Sequence, residues 1–176
     1  MTGSSDVVIR PATDEDFAPL CALYCQSVKC NPNGFIQDLN YHGCLIAKTR
    51  EWRKHGGDML VGRAGDAVIA MGGLAPDGGQ SLELCKLHVD AAWQGRGLGR
   101  LLTERLIALA GARGFAEVKL HVTITQKPAI MLYKSMGFRP IKEEVFRTTV
   151  FGEPASFDTL HMCLPIQAER RVVGRA

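Results

Sequence analysis

The residues best suited to chemistry gather in the second half of a 176-residue chain. The run Gln94-Gly95-Arg96-Gly97-Leu98-Gly99-Arg100 stands between a strand-like segment and one with helical leucine spacing. Glycines there permit positive φ and let a ligand approach the backbone closely. The free N–H groups of a first helical turn, aided by the helix dipole, form an anion site suited to a pyrophosphate. Arg96 and Arg100 add charge at its edge. The preceding strand carries Glu83, Cys85 and His88, and the following one His121. A carboxylate on a mostly covered strand is costly unless partnered or put to use. Imidazole titrates in a range useful to a base. Cys85 raises a covalent acyl route, but no His-Asp pairing nearby in sequence supports it, and a small apolar strand residue explains it equally well.

Three phosphate-loop patterns compete for the glycine run. Gly-Lys-Ser/Thr does not occur, which excludes the Walker pattern. G-x-G-x-x-G fails because Arg100 stands where its last glycine belongs, and this strand is about the fourth rather than the first. Gln/Arg-x-x-Gly-x-Gly/Ala is satisfied by Gln94, Gly97 and Gly99. Further on, Ala129-Ile130-Met131-Leu132-Tyr133-Lys134-Ser135-Met136-Gly137-Phe138 matches A-I-x-L-Y-x-x-x-G-F.

With these two motifs, in this order and spacing, the chain resembles the GNAT superfamily of acyl-CoA-dependent N-acetyltransferases, strongly over about 81–140. The resemblance implies one α/β (α+β) domain over 1–176: a mixed, mostly antiparallel central sheet, helices on both faces and splayed central strands. It implies acetyl-CoA as cosubstrate, no metal, and a small-molecule or peptide amine as acceptor, and it admits a homodimer. By resemblance the pantetheine arm runs along the backbone of Leu87, His88 and Val89, the diphosphate lies over Gln94 to Arg100, and Tyr133 protonates the departing thiolate. Many members carry Asn three residues before the motif's Ala, near the cofactor; here that position is Gln126.

Acetyl transfer to an amine makes three demands. An alkylammonium, with a pKa near about 10, must lose its proton. The oxyanion needs donors where charge develops, which a backbone N–H on the 87–89 stretch supplies. The thiolate benefits from an acid. The base stays open among Glu83 (where some family members place a catalytic Glu), His88, His121 and water. An acyl-CoA-binding sensor would keep the glycine turn without needing Tyr133; a nucleotide-binding regulatory module fits less well.

Positioning these residues falls to alternating strand-like and helical segments. Val7 to Arg10 reads as a strand, and Thr13 or Asp14 caps a helix to about Lys29. Asn31-Pro32-Asn33-Gly34 is a turn signal, and a helix broken near Gly43 is predicted from Phe35 to about His55. Strands are predicted at Asp58 to Gly62, Val68 to Leu74, Ser81 to Asp90 and Ala116 to Thr123. Helices follow at Arg100 to Ala112 and from Pro128 to before Gly137. Strands at Phe138 to Val145 and Phe157 to Pro165 flank a Gly/Pro-containing loop, and the tail from Gln167 is expected to fray. Acceptor choice in this fold falls to about 24–41 and 143–157, where Asp38, Glu143, Glu144 and Glu153 suit a cationic amine and Arg147 a carboxylate.

Composition bounds the rest. With 46% hydrophobic and 22% charged residues, global disorder is excluded. A net charge of +3, with Lys and Arg spread along the chain, disfavours a dedicated nucleic-acid binder. No apolar run approaches a membrane span. Met1 to Asp6 lacks signal-peptide character, so a cytoplasmic protein is expected. Cys21, Cys25, Cys30, Cys44, Cys85 and Cys163 complete no zinc pattern and are expected as thiols.

Overall fold

Strand β1 (Val7–Pro11) passes through Thr13 and a 3-10 turn, Asp14–Asp16, into helix α1 (Phe17–Cys30). Pro19 falls in the first turn of α1, where an N–H has no helical partner to lose. Buried Asp16 accepts the Thr13 backbone N–H at 2.8 Å, Arg10 at 2.6 Å and Arg63 at 2.8 Å. These donors, Arg10 foremost, hold its carboxyl well below the usual range. The computed structural model describes residues 7–31 and 36–166, so most of the turn expected at Asn31-Pro32-Asn33-Gly34 and all of the tail from Gln167 lie outside the described residues.

The helical stretch predicted from Phe35 to His55 is shorter than expected. It comprises α2 (Leu39–His42), a single turn, and α3 (Leu45–Lys54). Asp38 starts α2 by accepting the Asn40 N–H at 3.0 Å, and Gly43, at φ +66°, ends it. Strands β2 (Asp58–Ala64) and β3 (Ala67–Pro76) form a hairpin, followed by β4 (Ser81–Val89). Helix α4 (Leu98–Ala112) crosses to β5 (Glu117–Thr123), then come α5 (Lys127–Ser135), β6 (Arg139–Val150) and β7 (Glu153–Pro165).

The last two strands differ from expectation. No Gly/Pro loop separates them: Pro154 is in the ladder opposite Thr149, and the strands turn at Phe151 and Gly152, at φ +51° and +83°. Positive φ at both central residues matches a tight hairpin turn that normally selects Asn or Gly. Phe151 in the first position hides that signal.

The seven strands form one mixed sheet in the order β1-β2-β3-β4-β5-β7-β6. Neighbours are antiparallel except β4 and β5, which run parallel and pair only where Ser81, Leu82 and Glu83 face Glu117, Val118 and Lys119. Beyond Glu83 the two strands part. A bulge in β4 accompanies the parting: Gly73 faces Cys85 but Met71 faces His88, and Lys86 takes φ +55°.

Side chains alternate across strands, so each face of the sheet has its own core. Under α4, Leu82, Leu84, Leu102, Leu106, Val118, Leu120 and Met162 pack together. Gly72 lets that helix approach, since a Cβ there would lie 2.5 Å from the Leu102 side chain. Under α1 and α3, Phe17, Leu20, Tyr24 and Val28 meet Met59, Val61 and Met71. This second core takes none of its described residues from β5, β6 or β7. On that face, the far half of the sheet is left available for a ligand.

Candidate active site

The glycine turn begins where β4 ends. The Asp90 carboxylate accepts the Ala92 N–H at 2.8 Å and closes a 3-10 turn over Ala91–Trp93. Gly95 and Gly97 then take φ +73° and +79°. A Cβ at either would meet nothing within 4 Å, so glycine is needed there for backbone conformation rather than for packing. Gly97 caps α4 and its carbonyl accepts the Leu101 N–H at 3.0 Å. That bond leaves the N–H groups of Leu98, Gly99 and Arg100 in the unpaired first turn. No acidic residue stands in that turn to compete for an anion. The Leu98 side chain is buried in the core under α4, so this residue offers a ligand its backbone alone.

The side chains around the turn are held by partners of their own. Arg96 donates to the Ala92 carbonyl at 3.1 Å and lies 4.8 Å from the centre of the Trp93 ring. Arg100 donates to Ser135 Oγ at 2.6 Å, and Gln94 Nε2 donates to the Val89 carbonyl at 3.0 Å. The two arginines therefore stand beside the free N–H groups and add positive potential there.

From this turn a passage runs into the opening between β4 and β5. A cavity of about 450 Å³ includes Gln26, Ser27, Leu87, His88, Val89, Gln94 and Gln126 in its lining. A second, of about 210 Å³, adjoins it through Leu87, His88 and Gln126 and reaches Tyr24, His42, Cys85, Lys86, His121 and Tyr133. A third, of about 360 Å³, adjoins the second through His121, Val122 and Thr123 and opens over β7 and β6. The sequence-predicted residues Leu87, His88, Val89, Gln94, Gln126 and Tyr133 thus line two adjoining cavities, a slit that begins beside the glycine turn at Gln94, while Gly95 to Arg100 line neither cavity. Glu83 lines none of these three cavities; it reaches them through His121, whose Nδ1 is 3.4 Å from its carboxylate.

Burial sorts the titratable groups. Tyr133 is buried against Phe138, ring centres 5.7 Å apart, and desolvation pushes its phenol up to about 12. Like any phenol it holds its proton at neutral pH, and burial makes it hold that proton more tightly. Cys85 is likewise pushed up to about 12 by burial, which leaves a protonated thiol and weakens the covalent route. His88 is pulled down to about 3, by burial first and by Lys86 and His42 second. Such an imidazole is too weak a base to hold a proton taken from an ammonium. Burial raises the Glu83 carboxyl, against the opposing pull of His121. Of the bases considered, Glu83 and His121 therefore come together as a pair, while His88 falls away.

Sequence reasoning missed several neighbours. Lys86 donates to the Tyr24 hydroxyl at 2.6 Å, and burial lowers its pKa. The Tyr24 ring lies 5.0 Å from that of His88 and 5.3 Å from that of His42. His161 faces His121 across the β5–β7 ladder, with ring centres 4.6 Å apart, and its Nε2 is 2.6 Å from Glu144. Packing of α1 on β4 brings Tyr24 to Lys86 and His88, and the β5–β7 pairing brings His161 to His121; no local spacing announces either. Among the described residues, no group of three or more His, Cys, Asp and Glu is arranged to hold a metal ion, and no helix is long and apolar enough to cross a membrane.

A model of the acetyltransferase (GNAT) family matches residues 23–138, a stretch containing both the glycine turn and Tyr133. The chain belongs to this family. As an acetyltransferase-family member it is 30% identical over 101 residues to the probable N-acetyltransferase family 8 member 5 of Mus musculus, covering 57% of this chain and 40% of that one. It is 41% identical over 69 residues to the mycothiol acetyltransferase of Thermobifida fusca, covering 39% of this chain and 21% of that one. The chain thus spans less than half the length of these relatives. Among solved structures, an N-acetyltransferase from Staphylococcus aureus Mu50 superposes with a TM-score of 0.78 at 19% identity, covering 92% of this chain and 99% of that one. YncA of Salmonella typhimurium, solved with its cofactor acetyl-CoA, superposes at 0.75 with 22% identity over 98% of this chain and 99% of its own. These two likenesses establish the fold of the chain. Its strands β6 and β7 lie beyond the family match.

Proposed function

We propose that this acetyltransferase moves an acetyl group from acetyl-CoA to a primary amine by direct attack in a ternary complex. The observation that supports the reading is the pair of adjoining cavities beside the glycine turn, with Tyr133 lining one of them and His121, paired with Glu83, lining the same one. The residues present fit such a donor. The first turn of α4 receives the diphosphate without a competing carboxylate, and Arg96 and Arg100 flank it. Beyond Glu83 β4 and β5 are no longer paired, so the gap between them leaves room for an extended polar arm alongside Leu87, His88 and Val89. Bound acetyl-CoA supplies an activated thioester carbonyl.

Three proton movements complete the transfer. His121, oriented by Glu83, takes the proton that the ammonium must lose before its nitrogen bonds to the carbonyl carbon, and later passes it to solvent. Tyr133, whose phenol is protonated at neutral pH, gives its proton to the sulfur as the carbon–sulfur bond breaks. The adduct nitrogen loses its second proton by way of water to the Tyr133 phenolate, leaving an N-acetylated amine and free coenzyme A thiol. Calorimetry with acetyl-CoA, followed by an assay for amine-dependent thiol release, tests the reading. Binding with amine-dependent release is the expected result; failure to bind acetyl-CoA overturns it.

A further inference from the structure

The cavity beyond His121 lies on the sheet face that the second core leaves bare. Its floor is the β5–β7–β6 ladder, and Ile36 and Tyr41 form its side. Phe146 and Phe157 face each other across β6 and β7 and line it together. Phe146 is 40% exposed and Tyr41 42%, so this is apolar surface that folding alone has not covered. At about 360 Å³ the space suits one small molecule.

The charges are as informative as the rings. The one carboxylate in the lining, Glu144, is already engaged at both oxygens, by His161 at 2.6 Å and by Lys142 at 2.7 Å. Asp38, which the sequence offered to a cationic acceptor, spends its oxygens on the N–H groups of Asn40 and Phe151. Glu143 alternates to the opposite face from Glu144. Glu83 stands behind His121 at the inner end. Glu83 reaches the cavity only through His121, so the lining offers one place for an amine nitrogen, at His121, and no unpaired carboxylate for a second ammonium on the same molecule.

Resting on the acetyltransferase reading of the slit, we propose that the acceptor is a small monoamine on an apolar, ring-sized body, with its nitrogen at His121 and its body between Tyr41 and the Phe146–Phe157 pair. This charge pattern favours a monoamine over polyamines and aminoglycosides. The test compares 2-phenylethylamine, ethylamine, spermidine and a tripeptide as acceptors for the purified protein, by product mass spectrometry. The expected kcat/KM for 2-phenylethylamine exceeds each of the others by at least about tenfold, the scale on which hydrophobic pockets discriminate. Phe146→Ala, at an exposed position, should bring 2-phenylethylamine down to within about threefold of ethylamine. Phe146→Leu, which keeps an apolar side chain, should fall between. A preference for spermidine or the tripeptide, no turnover of 2-phenylethylamine, or an unchanged ratio in both variants overturns the inference. Acetyl-CoA calorimetry on the same preparation separates this outcome from failure of the donor reading, because only the latter abolishes donor binding.

Discussion

At the mouth of the slit, the groups that face a ligand are backbone N–H groups from one turn of about ten residues. At its far end they are side chains drawn from β4, β5, β7 and β6. The first construction is general: it is set by two glycines at positive φ and a helix start, an arrangement suited to an anion whatever is attached to it. The second depends on which side chains share a sheet face, and a single substitution there changes the ligand's surroundings. The family match covers the glycine turn and Tyr133 together with Glu83 and His121, and it stops at Phe138, before the far end's β6 and β7 residues. Gripping a fixed donor calls for backbone; choosing among acceptors calls for side chains.

That contrast can be broken experimentally. The largest effect is expected at the chemical centre between the two ends. Tyr133→Phe should lower kcat by about a hundredfold, as loss of a general acid does, with acetyl-CoA affinity nearly unchanged. Unaltered turnover removes Tyr133 from the mechanism. At the donor end, Gly97→Val should weaken acetyl-CoA binding by more than about tenfold, because a β-branched residue at φ +79° is strained by about 1–2 kcal/mol and its side chain enters the open approach. Calorimetry showing ordinary affinity would refute the glycine-turn assignment.

At the acceptor end the signature is a pH profile. Burial raises the Glu83 carboxyl, so it loses its proton at higher pH than an ordinary glutamate. Activity that needs the carboxylate therefore rises as pH climbs through that value. Glu83→Gln should lower kcat by about tenfold and abolish this dependence, leaving donor affinity intact. A variant that keeps the wild-type pH profile would show that Glu83 does not act through His121. The smallest effect is expected farthest from the chemistry. Phe151→Asn, at an exposed position with φ +51°, should raise thermal stability by about 0.5–1 kcal/mol, since Asn tolerates that conformation better. A drop in Tm would mean that the Phe151 ring contributes more than its strained backbone costs.

The places where the structure departs from sequence expectation follow the same physics. Helix α4 and its glycine turn are legible because leucine period, glycines and capping residue lie within one short stretch. The β6–β7 turn is not, because Phe151 occupies a position that ordinarily selects Asn or Gly. The α2 stub is short because Asp38 and Gly43 bracket it, and neither alone signals how far helix extends before Gly43. His161 illustrates the deeper limit. It is 40 positions from His121, and only the antiparallel pairing of β5 with β7 makes the two neighbours.

The sequence by itself determined the donor end: a helix N-terminus stripped of side chains by glycine, and a tyrosine at fixed spacing downstream. These are local properties, written in consecutive residues. Tertiary structure alone decided that Glu83 stands beside His121, that burial lowers the His88 imidazole, and that Glu144 and Asp38 already have partners. Those outcomes depend on which strands pair and which face each residue takes, and burial and pairing then set every charge. A protonation state belongs to the neighbourhood of a side chain, and that neighbourhood exists only after the sheet has formed.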